Sequence, residues 1–233
     1  MSGGWAEYGL AFLVFLLAHM LPARPAIRAR LTAVAGERAY LWVYSAVSLG
    51  LLYWLIDAAG RAPFVPLWAY RPWQLWVPNV VMPVALALAV AGVGVANPFS
   101  FGGRLEAAYD PARPGITGFS RHPLLLAITL WATAHLVPNG DLARVLLFAL
   151  FALMGVAGML VLDRRRRRQW GPERFAELAR NTSLLPAAAW IDGRARPGRD
   201  IVTPSRLVIA VLVYLLLLAL HPALFGASPL PQV

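Results

Sequence analysis

Cysteine is absent from this sequence, and so is lysine. Without cysteine there is no disulfide framework, no thiolate-bound or covalently attached haem, no cysteine-held iron–sulfur cluster and no thiol nucleophile. Any metal chemistry has to use histidine, carboxylate or a cofactor brought in from outside. Without lysine, the whole net charge of +10 rests on arginine. Charge of either sign is scarce, at 14% of residues against 59% hydrophobic ones. With a mean hydropathy of +0.62, this is a membrane profile and not that of a soluble domain. The basic charge first suggests nucleic acid as a partner, but membrane topology accounts for it more simply, so no nucleic acid is expected. No basic segment precedes the first apolar stretch, which argues against a cleavable signal peptide.

What is present is a series of apolar stretches near the roughly 20 residues that a bilayer crossing needs. They predict an all-α integral membrane protein with about six transmembrane helices, over 5–21, 39–59, 75–96, 124–137, 142–162 and 207–220. The whole of 1–233 reads as one transmembrane domain without internal repeats. Pro22 and Pro25 end the first span, and Pro78 and Pro83 are expected to kink the third. Trp68, Tyr70, Trp73 and Trp76 form an interfacial aromatic belt. The Gly- and Pro-rich stretch 97–120 reads as a loop, and Pro138-Asn139-Gly140-Asp141 as a turn. After the fifth span, Asp163 opens a basic loop through Arg164–Arg168. The stretch 171–180 reads as a short amphipathic interfacial helix, with Phe175 and Leu178 toward lipid.

Arginine placement predicts orientation. The loops after spans one, three and five hold 18 arginines and those after spans two and four hold 3. The positive-inside rule then places both termini outside the cytoplasm and the three arginine-rich loops within it. Contact with anionic membrane lipids is compatible with such loops. Asp57, at the end of span two, reads as structural.

The stretch from Arg121-His122-Pro123 to His135 carries two of the four histidines. Ionisable groups bordering a lipid-embedded helix are costly, and they mark functional sites by default. His122 and His135 are thirteen residues apart, about 20 Å along a helix, so one straight helix cannot offer both to one iron. By topology His19 and His122 lie on the cytoplasmic side, and His135 and His221 on the opposite side. Imidazole is the ligand suited to a b-type haem where cysteine is missing. Taken singly, each histidine also reads as an interfacial side chain snorkelling to headgroups. Arg121 could clamp a phosphate or carboxylate, or simply add one more inside charge. No Ser-His-Asp order, P-loop or paired carboxylates point to hydrolysis or phosphoryl transfer.

Several blocks together resemble the NnrU family of bacterial membrane proteins. They are His19-Met-Leu-Pro, Arg28-Ala-Arg-Leu, Gly36-Glu-Arg-Ala-Tyr40, Arg121-His-Pro, Trp131-Ala-Thr-Ala-His135, Asn139-Gly-Asp141 and Asp163-Arg-Arg. The same blocks, with Thr182-Ser183 and His221-Pro, resemble the plant 15-cis-zeta-carotene isomerases. That resemblance implies an inner-membrane protein with non-covalent haem b, axially held by His19 and His135; the placement of the other two histidines near helix ends makes His122 and His221 secondary candidates. It implies a lipophilic small molecule or a redox partner protein as partner. Its function would be cis–trans isomerisation of a polyene, or support of denitrification and nitric-oxide metabolism. Ala132 stands where the isomerases carry a cysteine for a ligand switch. A more distant resemblance, through Arg121-His-Pro, is to membrane methyltransferases that use S-adenosylmethionine. Their acidic pair is reduced here to Asp163 followed by arginine. A non-enzymatic membrane assembly factor is the third alternative.

Overall fold

In the computed structural model the described residues are 4–22, 24–104, 108–198 and 201–231, and among them all regular structure is helical. Trp5–Met20 (α1), Pro25–Ala35 (α2) and Glu37–Arg61 (α3) come first. Trp76–Gly92 (α4) follows a short 3-10 turn over Pro72–Leu75. Ile116–Phe119 (α5), Pro123–Leu136 (α6), Leu142–Trp170 (α7) and Pro172–Ala179 (α8) come next, then Ala188–Ile191 (α9) and Pro204–Phe225 (α10). Among the described residues, four segments are long and apolar enough to cross a membrane: Glu37–Arg61, Pro72–Gly92, Leu142–Trp170 and Pro204–Phe225. α1 and α6 are apolar but shorter. Four apolar helices of this length point to a membrane protein.

Element bounds differ from the sequence pattern where a polar or proline residue misleads it. α4 ends at Gly92 and not at 96, because Gly94 turns the chain at φ +69 and Arg104 N–H donates to the Val95 carbonyl. Pro78 sits in the first turn of α4, where its missing N–H costs nothing, and Pro83 lies inside the helix. α7 continues through Arg164–Arg168 to Trp170, so the expected basic loop is helix. α10 passes His221-Pro222 and ends at Phe225.

The chain divides into two compact units, 1–69 with 140–147, and 70–139 with 148–233. In the first unit α1 packs on α3. Arg61 joins the two by ion pairs of 2.5 Å to both Glu7 and Asp57, which gives Asp57 the structural part expected of it. Tyr8 donates its hydroxyl to the Ala143 carbonyl at 2.8 Å. Asp141 accepts from Val65 N–H at 3.1 Å, so the Asn139-Gly-Asp141 turn is anchored by its carboxylate.

In the second unit α4, α6 and α10 are the main packed helices. Gly92 lies against Pro123, where a Cβ would meet Pro123 Cγ at 2.7 Å. Small residues thus let the end of α4 approach the start of α6 closely. Arg206, at the start of α10, donates to the carbonyls of Val90, Ala91 and Val93 at 2.7–3.1 Å, capping α4's orphan carbonyls. At the opposite end Asn79 donates to Pro229 O at 2.7 Å and Tyr214 donates to Asn79. These contacts make α4 antiparallel to both α6 and α10. They gather two helix ends: one around Gly92, Arg121, Pro123 and Arg206, the other around Asn79, His135 and the α10 terminus.

α8 is amphipathic, as its sequence predicts, but its apolar face is not free for lipid. Phe175 is buried with Phe99 and Ala179, and Leu178 and Trp170 pack against them. Burying an aromatic ring of this size is favourable by about 2–3 kcal/mol, so the helix folds its apolar side inward.

Candidate functional site

The first residues of α6 hold a polar centre closed on all sides. Arg121 and His122 converge on Asp163, the first residue after α7's apolar run. His122 Nε2 lies 2.9 Å from Asp163 Oδ1, and Arg121 pairs with Oδ2 of the same carboxylate. A carboxylate only accepts, so Nε2 carries the proton and His122 Nδ1 is the bare nitrogen. That Nδ1 is buried and has no partner. The side-chain exposures are 0% for His122, 12% for Arg121 and 15% for Asp163. At such burial one positive and one negative charge must cancel, and they do.

Surrounding groups fix Arg121 in place. Its Nε donates to Thr182 Oγ1 at 2.8 Å and its backbone N–H to Ser183 O at 2.7 Å. Asn97 donates from Nδ2 to the Arg121 carbonyl at 3.2 Å. The guanidinium lies over both Phe99 and Phe175. Burial pulls the guanidinium below its ordinary pKa, and Asp163 opposes that pull. Arg194 clamps the same loop from outside, donating to the carbonyls of Arg180 and Thr182. Asn97 and Phe99 were not singled out by sequence reasoning. Their only signal is an Asn-Pro-Phe step directly after an apolar span.

The other three histidines share a different arrangement. His19 Nδ1 lies 2.8 Å from Phe15 O, and His135 Nδ1 lies 2.8 Å from Trp131 O. His221 Nδ1 lies 2.8 Å from Ala227 O. A carbonyl accepts only, so each Nδ1 carries the proton and each Nε2 keeps its lone pair. This is the tautomer of a metal-binding histidine whose second nitrogen is held by a backbone carbonyl. The donor set therefore fits an imidazole-ligated iron at His19, His135 and His221. His122, whose Nε2 is taken by Asp163, could offer only its enclosed Nδ1.

His122 and His135 sit at opposite ends of α6, which is the separation that helix rise requires. His135 and His221 are close enough to interact electrostatically. His135 is packed among Trp131 and Phe148, with ring centroids 5.7 and 5.5 Å away. His19 belongs to the first unit, with Phe15 at 4.1 Å and Tyr44 edge-on at 6.1 Å. No group of three or more metal-capable side chains occurs among the described residues.

An apolar groove of about 300 Å³ runs along α1, lined by Trp5, Tyr8, Gly9, Phe12, Leu16 and Leu146 among others. Trp5, Tyr8, Phe12, Leu16 and His19 follow three- and four-residue spacings, so His19 stands on the groove's face one turn beyond Leu16. The polar centre offers no comparable ligand acid. Both Asp163 oxygens are engaged, so the carboxylate that an S-adenosylmethionine ammonium would require is already paired.

A model of the family described as NnrU protein matches residues 9–229, nearly the whole chain. No curated protein and no solved structure matches.

Proposed function

The chain belongs to the NnrU protein family, and on that premise and the histidine geometry we propose that it is a haem b-binding protein of the bacterial inner membrane. In this reading it crosses the membrane six times. α1 and α6 make the two short crossings, both termini are periplasmic and the arginine-rich segments are cytoplasmic. The antiparallel order of α4, α6 and α10 agrees with alternating crossings, and the placement of 18 arginines sets their direction.

One observation carries the haem assignment. His19 and His135, on two apolar helices, each give their Nδ1 proton to the carbonyl four residues earlier and present a bare Nε2. His19, in the first unit, and His135, in the second, are each an imidazole that could ligate a haem iron, and a bound haem would supply redox-active, ligand-exchanging iron. The chain's own part is to fix the tautomer at each imidazole and to keep water away with the rings of Phe15, Trp131 and Phe148. The groove along α1, whose lining ends at Leu16 one turn short of His19, is almost wholly apolar, which supports a lipophilic ligand, such as a polyene whose double bond is isomerised.

Haem content per polypeptide, measured as the pyridine haemochrome after purification in mild detergent and haem reconstitution, tests this reading. About one haem per chain is expected for the wild type, and a marked loss for His19→Ala and for His135→Ala. Wild-type protein that takes up no haem would overturn it.

A further inference from the structure

Positions 142–162 of α7 rise roughly 30 Å, which matches the hydrocarbon thickness of a bilayer. With α7 crossing the membrane, Arg164–Arg168 emerge where the acyl chains end and the lipid phosphates begin. Two of these guanidiniums are already seated on aromatic rings. Arg166 lies 5.3 Å from the Trp170 centroid, and Arg167 lies 5.0 Å from the Phe175 centroid. Phe175 also carries Arg121 at 5.4 Å, so one ring holds two cations. Arg121 is neutralised by Asp163. Arg167 pairs with no carboxylate among the described residues, and neither do Arg164 and Arg168. Arg167 acts against the charge of Arg121, a repulsion that a bound anion would relieve.

Arg164, Arg167 and Arg168 share one helix face by their three- and four-residue spacing. The Arg167 guanidinium lies over the Phe175 ring and its side chain is exposed. A guanidinium so held matches a phosphate with two parallel hydrogen bonds, and little side-chain entropy remains to be lost.

We propose that Arg167, seated on Phe175, forms with Arg164 and Arg168 a binding site for the phosphate of an anionic lipid headgroup. The depth of the site in α7 selects a lipid over a free phosphate. The inference rests on the membrane crossing of α7 and is independent of haem, so haem loss leaves it untouched.

The test is native mass spectrometry of protein released from nanodiscs of equal phosphatidylcholine and phosphatidylglycerol. Wild-type protein should retain phosphatidylglycerol selectively. The triple variant R164K/R167K/R168K keeps every positive charge, and so the insertion signal, but loses the planar forks. It should retain the lipid about tenfold more weakly, the equivalent of about 1.4 kcal/mol. Phe175→Leu keeps the core filled and all arginines, and should weaken retention in the same direction. Equal retention by the wild type and the triple variant would overturn the site. Inorganic phosphate that binds the wild type in pure phosphatidylcholine discs, and displaces phosphatidylglycerol from mixed ones, would overturn the lipid as its occupant.

Discussion

The two ends of α6 use histidine in opposite ways. At the start of the helix His122 is fully enclosed. Its Nε2 is bound to Asp163, and its neighbour Arg121 cancels the carboxylate's charge. At the far end His135 is tied to a backbone carbonyl through Nδ1 and keeps Nε2 as a free base. The first arrangement spends the imidazole on structure, and the second keeps its ligand atom available. The lesson is that a histidine beside an apolar helix is sorted by which nitrogen its neighbours occupy, and sequence position alone does not reveal that.

Removing Asp163 should break this contrast most severely. Asp163→Ala leaves Arg121 buried without a counter-charge and His122 without its acceptor, and should destabilise the protein by about 3–5 kcal/mol. Thermal unfolding in detergent would show it as a large fall in Tm, and a change below about 1 kcal/mol would mean that the centre is open to water. His122→Ala comes next. It removes a fully enclosed ring and should cost about 2–3 kcal/mol with haem content per folded chain unchanged. His135→Ala should do the reverse, leaving Tm of the haem-free protein nearly unaltered while lowering haem content. At the same end Asn79→Leu removes the donor to Pro229 O and should cost about 1 kcal/mol, read in the same melts.

The smallest effect is one of pH. The side chain and charge of Arg194 hold the Asp192 carboxylate below its ordinary pKa, with its backbone N–H assisting. A carboxyl whose folded pKa is lowered contributes stability above its unfolded value, near 3.9, and loses it as pH falls through the folded value. Arg194 also clamps the carbonyls of Arg180 and Thr182. Hydrogen-exchange protection factors of the 180–195 segment, corrected for the pH dependence of intrinsic exchange, should therefore fall below about pH 4. Asp192→Asn should show the lower protection already at neutral pH.

Much of this architecture was legible in the sequence. Hydropathy located the apolar helices, and the Arg121-His-Pro and Asn139-Gly-Asp141 steps marked two anchored turns. The bounds went wrong where local chemistry and packing disagree. Arg164–Arg168 read as a loop by charge, yet arginine is a good helix former and suits a helix C-terminus. Phe175 read as lipid-facing from its amphipathic period, but the pattern cannot say which neighbour receives the apolar side, and Phe99 does. Asp163 is followed directly in sequence by five arginines. Its actual partners lie about forty positions earlier, brought there by the antiparallel packing of α6 on α7.

A bare Nε2 separates His19, His135 and His221, which can offer it to iron, from His122, whose Nε2 is bound to Asp163. The most direct measurement is the low-temperature electron paramagnetic resonance spectrum of the ferric, haem-loaded protein, recorded for the wild type beside the four single His→Ala variants. The expected result is a low-spin imidazole-ligated signal in the wild type that persists in His122→Ala and is weakened in His19→Ala and in His135→Ala. A low-spin signal that is undiminished in both His19→Ala and His135→Ala, or that vanishes only in His122→Ala, would contradict it.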